Sequence, residues 1–266
     1  MRVFVINLDR CPERMTRLAG VLEAFGAPFE RIAAVDGREL DPIPAEKVFN
    51  GRYALTRSEL ACVLSHRKAW IRFMATADEY CLILEDDVHL GKDFGAIIRG
   101  GVGLEASAFD LIKIETWNDK IWVDRFDKVT VGGQRTIARL HSAHFGSAAY
   151  VISRAGVEKF LPATEAATLK ADDMLFGGHG RVPAGLRSYQ MIPALAIQDE
   201  LLRGKPGFVG LGSEITPERL ALPKRIGMRK LLREATRPIR QLADIVMPLH
   251  LVGKRRRVER MRVGFE

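Results

Sequence analysis

The chain has 266 residues, 47% hydrophobic and 28% charged, with a formal net charge of +8 at pH 7. That length holds one large α/β domain with an appendage, or two small domains, and the composition excludes a low-complexity or disulfide-stapled chain. Three cysteines without CxxC spacing fit a reducing compartment, and no apolar run approaches the ~18–20 residues needed to span a bilayer.

The charge is uneven. Residues 217–266 hold 14 of the 41 Lys+Arg and 5 of the 33 Asp+Glu, a balance of +9 that leaves residues 1–216 at −1. Two segments are therefore expected: a body over 1–216 and a basic C-terminal segment over 217–266. A strand begins directly at the first residues, with no signal peptide expected before it.

Residues 3–8 read as a strand buried on both faces. Pro12 suits a first helical turn and Glu13 complements its dipole. The helix runs to Phe25 with Met15, Leu18, Ala19, Leu22 and Phe25 on one face, and Gly26 ends it. Glu30–Val35 is a second strand, cut by Asp36-Gly37. This strand–helix–strand opening predicts a parallel pair with a right-handed crossover. Residues 38–54, polar and carrying Pro42 and Pro44, read as a surface excursion.

Thr56-Arg57-Ser58-Glu59 is a capping box, and apolar residues from Leu60 to Met74 recur at helical spacing through about Ala77. Tyr80-Cys81-Leu82-Ile83-Leu84-Glu85-Asp86-Asp87-Val88 follows. Its apolar run predicts a buried strand that delivers three consecutive carboxylates at its C-terminal end, where ligands bind open α/β sheets. Three neighbouring acids repel one another unless a cation compensates them, and a hard divalent ion such as Mg²⁺ or Mn²⁺ suits oxygen ligands. The bland alternative is a solvated acidic turn.

Phe109–Ile114 is a further strand, and residues 121–140 read as a β-ribbon around Gly132-Gly133. Gly146–Ile152 is another strand, with Ser153 capping a helix through Leu161. Lys170–Phe176 opens a short helix with two acids, Gly177–Gly180 is a break, and Tyr189–Ile197 is one more apolar strand. From about Ala221, basic residues alternate with apolar ones in an amphipathic helical pattern interrupted by Pro238 and Pro248. Such a segment can lie on an anionic membrane surface, or be a solvated tail or oligomer contact. Nucleic acid is not an expected partner, because the tail lacks interleaved aromatics and no reader motif is present.

Three patches carry chemistry beside the carboxylates. Asn7, Arg10 and Arg14 lie at the end of the first strand, where a helix N-terminus and two arginines can hold phosphate, although ordinary helix-surface arginines are the default for this patch alone. Ser65-His66 lies on the helix before the carboxylate strand, where a satisfied half-buried histidine is the default. Asp172-Asp173 is a second acidic pair. A metal-bound acid cluster plus a separate carboxylate is what activated-sugar transfer needs. The metal stabilises the departing diphosphate and the other carboxylate deprotonates the attacking hydroxyl.

Val5-Ile6-Asn7-Leu8-Asp9-Arg10 with Pro12 and Arg14, Ala34-Val35-Asp36-Gly37, the stretch Ser58–Trp70, Leu82–Val88 and Gly146–Gly156 together resemble glycosyltransferase family 25, the lipopolysaccharide-biosynthesis and collagen-galactosyltransferase group. The resemblance covers about residues 3–176, departing from the family's usual glycine at Ser58. It implies a GT-A-like, Rossmann-related fold: a mixed, mainly parallel sheet flanked by helices, here with a basic helical C-terminal tail. It also implies an inverting transfer from a nucleotide-sugar, often UDP-galactose, to a lipopolysaccharide or other surface glycan. Carried onto this chain, Asp87 becomes the direct metal ligand. Glu85 and Asp86 contact the Mn²⁺ or Mg²⁺ through water or hold the donor, while Asn7, Arg10, Asp36, Ser65 and His66 line the donor side. Asp172 or Asp173 is the base, and Gln198, His179 and His250 are the candidates for the last metal contact. A cytoplasmic enzyme, peripheral at the inner membrane face, is the corresponding expectation. Two other readings remain: a metal-dependent nucleotidyl or phosphoryl transferase, for which no P-loop or Gly-rich signature speaks, and a non-catalytic glycan- or membrane-binding protein, against which the intact acidic triplet argues.

Overall fold

The computed structural model describes residues 1–41, 55–103, 105, 108–131, 135–166, 169–177, 185–212 and 256–266. Its strands are β1 (Arg2–Asn7), β2 (Phe29–Ala33), β3 (Tyr80–Glu85), β4 (Val88–Leu90), β5 (Leu111–Lys113), β6 (Glu115–Thr116), β7 (Lys120–Val131), β8 (Arg135–Leu140), β9 (Ala149–Ser153), β10 (Ser188–Ile192), β11 (Ala196–Gln198) and β12 (Val258–Arg262). The helices are α1 (Pro12–Ala24), α2 (Arg57–Met74), α3 (Phe94–Gly100), α4 (Arg154–Ala166) and α5 (Ala171–Phe176), with a 3-10 turn over Asp199–Leu202.

A nine-stranded sheet in the order β12-β7-β8-β10-β5-β9-β3-β1-β2 forms the frame. β1 pairs in parallel with both β2 and β3, and β5 with β10, while the other ladders are antiparallel. Six strands thus run one way and β8, β9 and β12 run against them. The expected mixed sheet with a parallel β1–α1–β2 opening is what forms.

Alternation along β1 and β3 separates the two sides. Val3, Val5, Leu82 and Leu84 join a core with Leu18 and Leu22 of α1 and with Phe94, Ile97 and Ile98 of α3. Phe4, Ile6, Cys81 and Ile83 pack on the opposite face against Val63, Trp70 and Phe73 of α2, Phe160 of α4 and Leu175 of α5. Helices on both faces explain why the two strands are uninterrupted apolar runs.

Local signals act as their chemistry dictates. Pro12 opens α1, and Gly26, at φ +63, ends it with Ala27 N–H donating to the Leu22 carbonyl. The Thr56–Glu59 capping box closes in both directions, at 3.1 and 2.9 Å, a cap of about 1 kcal/mol. Ser153 Oγ accepts the Gly156 N–H at the start of α4.

Four expectations change. The apolar run Tyr189–Ile197 is two strands, because Pro193 interrupts it: β10 stays in the large sheet and β11 leaves it. β11 joins β4 and β6 in a separate three-stranded sheet beyond the carboxylates. α3 and β4 lie where no element was expected. Finally, the described part of the basic segment is not helical. Val258–Arg262 is an edge strand on β7, with Val258 and Val263 buried and Thr116 Oγ1 donating to the Val263 carbonyl. Residues 42–54 of the expected 38–54 excursion, the Gly132-Gly133 turn, most of the 177–180 break and the amphipathic pattern from 221 lie outside the described residues.

Candidate active site

Parallel register between β1 and β3 sets Ile6 beside Glu85, so Asn7 and Asp86 emerge together at the C-terminal ends of neighbouring strands. Asn7 Nδ2 donates to Asp86 Oδ2 at 2.7 Å and Arg14 Nη1 to Asp86 Oδ1 at 3.3 Å. Both oxygens of Asp86 are therefore engaged by the protein. Arg17 Nη2 donates to the carbonyls of Asp86 and Val88, pinning the turn that carries the acids. Arg14, expected to meet phosphate, is buried and spent on Asp86 and on the carbonyls of Leu211 and Gly212.

Asp87 stands differently. Its Oδ1 is buried and has no hydrogen-bond partner. Burial first, then repulsion by Glu85 and Asp86, pushes its carboxyl well above the ordinary carboxylate range. An orphaned oxygen among like charges is the environment a hard cation relieves, so the residues present fit a divalent ion on Asp87 and Glu85. Cys62, His66 and Glu85 also bring one ligand atom each within 4.8 Å of one another. That softer set is the poorer fit, because the ring proton nearest Glu85 is already committed.

The commitment follows from a chain of bonds with one consistent direction. Trp70 Nε1, a donor only, gives its proton to the Tyr150 hydroxyl at 2.8 Å. The Tyr150 hydroxyl meets His66 Nδ1 at 2.9 Å, and His66 Nε2 meets Glu85 Oε1 at 3.2 Å. All four groups are satisfied when Tyr150 donates to Nδ1 and Nε2–H donates to Glu85. His66, 1% exposed, is thus a satisfied core histidine that also aims a carboxylate. Tyr150→Phe would strand the indole N–H and Nδ1 and is expected to cost about 1–3 kcal/mol by urea denaturation, with no loss of secondary structure by circular dichroism.

Two cavities meet at the acids. The first is lined on one side by Asn7, Arg10 and Arg14, on the other by Ser65 and His66, and at its base by Glu85–Asp87. Ser65 Oγ donates to the Ala61 carbonyl and accepts the Val35 N–H, tying α2 to the chain beyond β2. Asp36 is not among the lining residues; it holds Arg10 Nε at 2.6 Å, and that bond lowers its pKa. The second cavity contains Asp172, Trp117, Gly146, Ser147, Lys170 and Glu200, and shares Cys62, Glu85, Asp87 and Gln198 with the first. Burial, and then Asp173, raise the Asp172 carboxyl. Asp173 is buried and lines neither cavity. Gln198 flanks Asp87 in both; His179 and His250 lie outside the described residues.

Sequence reasoning missed three supports. Asp199, 1% exposed, accepts the N–H groups of Val209, Gly210 and Leu211 and pairs with His89 at 2.7 Å. Buried Lys113 bridges Glu115 and the Gly146 carbonyl beneath the second cavity. His144 accepts the Trp117 N–H and faces Gln190. Each lies far in sequence from the acids, and only the register signals them.

Residues 1–175 match the family model described as "Glycosyltransferase family 25 (LPS biosynthesis protein)". The lacto-N-neotetraose biosynthesis glycosyltransferase LgtE of Neisseria meningitidis serogroup B (strain ATCC BAA-335 / MC58) is 31% identical, covering 98% of this chain and 94% of that protein. The lipooligosaccharide biosynthesis protein lex-1 of Haemophilus influenzae is 28% identical over 54% of this chain and 50% of its own. Among solved structures, a glycosyltransferase involved in the glycosylation of the major capsid of PBCV-1 superposes with a TM-score of 0.40 at 12% identity, covering 74% of this chain and 92% of that one.

Proposed function

Because the chain belongs to glycosyltransferase family 25 and is a sugar-transferring enzyme, we propose that it moves a hexose, galactose in the first instance, from a UDP-sugar to a lipopolysaccharide or related surface-glycan acceptor with inversion. The observation that carries the reading is Asp87 Oδ1, buried and unpaired where two cavities meet. The acceptor class is supported by the relatives' names, and the galactose and UDP choices by the family resemblance.

In this reading Asp87 and Glu85 hold a divalent ion, with Gln198 beside them. When bound, that ion supplies charge stabilisation for the departing diphosphate. Asp86 serves the site indirectly, fixing the turn through Asn7 and Arg14. Arg10, Ser65 and His66 bound the donor cavity, and Asp36 orients Arg10. Asp172, across the acids in the second cavity, takes the proton from the attacking acceptor hydroxyl. Burial and Asp173 raise its pKa, which makes it a stronger proton acceptor than an ordinary aspartate. Single displacement needs the nucleophile and the leaving group on opposite sides of the sugar, and two cavities sharing one acidic wall provide for that.

The test is a nucleotide screen. UDP with Mn²⁺ is expected to raise the melting temperature by several degrees, and GDP or CMP with the same ion by less. A melting curve unmoved by any nucleotide–metal pair would remove the donor site. Assaying sugar transfer against pyrophosphate release separates this reading from a nucleotidyl transferase.

No helix among the described residues is long and apolar enough to cross a membrane. Membrane docking by the basic segment is tested by liposome sedimentation of Arg229→Glu/Arg233→Glu/Arg237→Glu protein. Deleting residues 221–266 would instead strip β12 from the sheet.

A further inference from the structure

Trp117 is 39% exposed, yet the fold holds it with unusual care. Its backbone N–H donates to His144 Nε2 at 3.3 Å. His144 is buried, with its pKa lowered by burial to about 3, so its ring is neutral. Its Nδ1–H then donates to Gln190 Oε1 at 2.7 Å, while Gln190 Nε2 donates to the carbonyls of Glu115 and Met191. The next residue, Asn118, has φ +59, and its N–H is taken by Thr116 Oγ1. The indole lies against Gly146, at φ +92, where an added Cβ would fall 2.2 Å from the indole nitrogen. A neutral buried histidine, a left-handed asparagine and an obligatory glycine converge on one exposed ring. Strain and buried polar networks of this kind persist where a ligand is met.

The surroundings define that ligand. Trp117 shares the second cavity with Asp172, Gln198, Glu200 and Lys170, and with Glu85 and Asp87. So many carboxylates repel an anion, and the place for a cation is already taken by Glu85 and Asp87. What remains is a neutral ring with one apolar face and a polar rim. A β-pyranose is such a ring: its axial C–H groups stack on an aromatic face, and its hydroxyls reach carboxylates and amides.

We propose that Trp117 is the stacking platform of the acceptor subsite, receiving the C–H face of the acceptor's terminal pyranose beside Asp172. This rests on the sugar-transfer reading above and deepens it by assigning which cavity takes the acceptor and through what contact. Trp117 would fix the ring; Asp172 would meet the hydroxyl to be glycosylated.

The experiment is saturation-transfer NMR on the full chain with methyl β-glucopyranoside, methyl β-galactopyranoside and methyl N-acetyl-β-glucosaminide at millimolar concentration, each with and without UDP and Mg²⁺. Transfer to the ring C–H protons of at least one glycoside is expected. It should fall at least fivefold in Trp117→Ala and keep half or more of its strength in Trp117→Phe. Should the alanine variant unfold, Trp117→Leu against Trp117→Phe makes the same comparison of bulk with an aromatic face. In turnover, the acceptor KM rises tenfold or more while UDP-sugar hydrolysis stays within twofold. Equal transfer in Trp117→Ala, no transfer from any glycoside in the wild type, or a matching fall in donor hydrolysis overturns the assignment. Glycoside binding without any UDP-induced melting shift would instead fault the donor site and leave this platform standing.

Discussion

Asp87→Ala is expected to lower kcat/KM for sugar transfer by about 10³-fold or more, the several kcal/mol that a bound divalent ion supplies to a developing diphosphate charge. Steady-state release of UDP measures it, and the Mn²⁺-dependent melting shift should disappear with it. The same substitution carries an opposite sign for stability. Burial and the neighbouring acids raise the folded-state pKa of Asp87. Its stability contribution is therefore complete only below its unfolded pKa and is lost as pH rises through the folded value. Above that unfolded pKa and without metal, the wild type bears the cost of keeping this carboxyl buried with Oδ1 unpaired, and the alanine variant does not. Its melting temperature in chelator should equal or exceed that of the wild type. A variant that melts lower in chelator and still transfers sugar would show Asp87 to be a structural residue, and the reading of the acids would fall with it.

Asp172→Asn is the second large effect, a loss of about 10²–10⁴-fold in kcat for want of a base, with the UDP melting shift intact. Burial and Asp173 raise the Asp172 carboxyl. The wild-type rate should accordingly climb with pH through an apparent pKa higher than that of an ordinary aspartate, and the asparagine variant should lack that limb. Asp173→Asn, altering a side chain that lines neither cavity, should keep the limb. Comparing the two pH–rate profiles assigns the base within the pair. A limb retained in Asp172→Asn and lost in Asp173→Asn would transfer the role.

Much of this was readable in the chain because its decisive signals are local. The apolar runs of β1 and β3, Pro12, Gly26 and the capping box at Thr56 act within a few residues, and each forms as its chemistry requires. The acids at the end of β3 and their place beside Asn7 followed from the rule that ligands meet parallel strands at their carboxyl ends. What escaped depends on register between distant segments. Nothing near Arg14 in sequence announces that its guanidinium is consumed by Asp86 and the Leu211 carbonyl. Nothing near Asp172 says that it faces the cavity while Asp173 turns into the protein. The strand character of Val258–Arg262 was hidden by arginines at 260 and 262, which are exposed on a sheet edge while Val258 is buried. An edge strand tolerates such charges, and here they continue the basic run Lys254–Arg257, which masks the strand.

The bonds from Trp70 to Glu85 give the protein a means of reporting on itself. Tyr150 has a single hydroxyl proton, and its direction depends on what His66 does with Glu85. A cation drawn to Glu85 competes for the electron density that His66 now contacts, and the change passes back to an indole N–H deep in the core. In a ¹H–¹⁵N spectrum the Trp70 side-chain peak should therefore move when Mg²⁺ and UDP are added. In Tyr150→Phe protein, that peak should be deaf to the same addition. One of three tryptophans thus serves as an isotopic gauge of occupancy, readable before any acceptor or product has been identified.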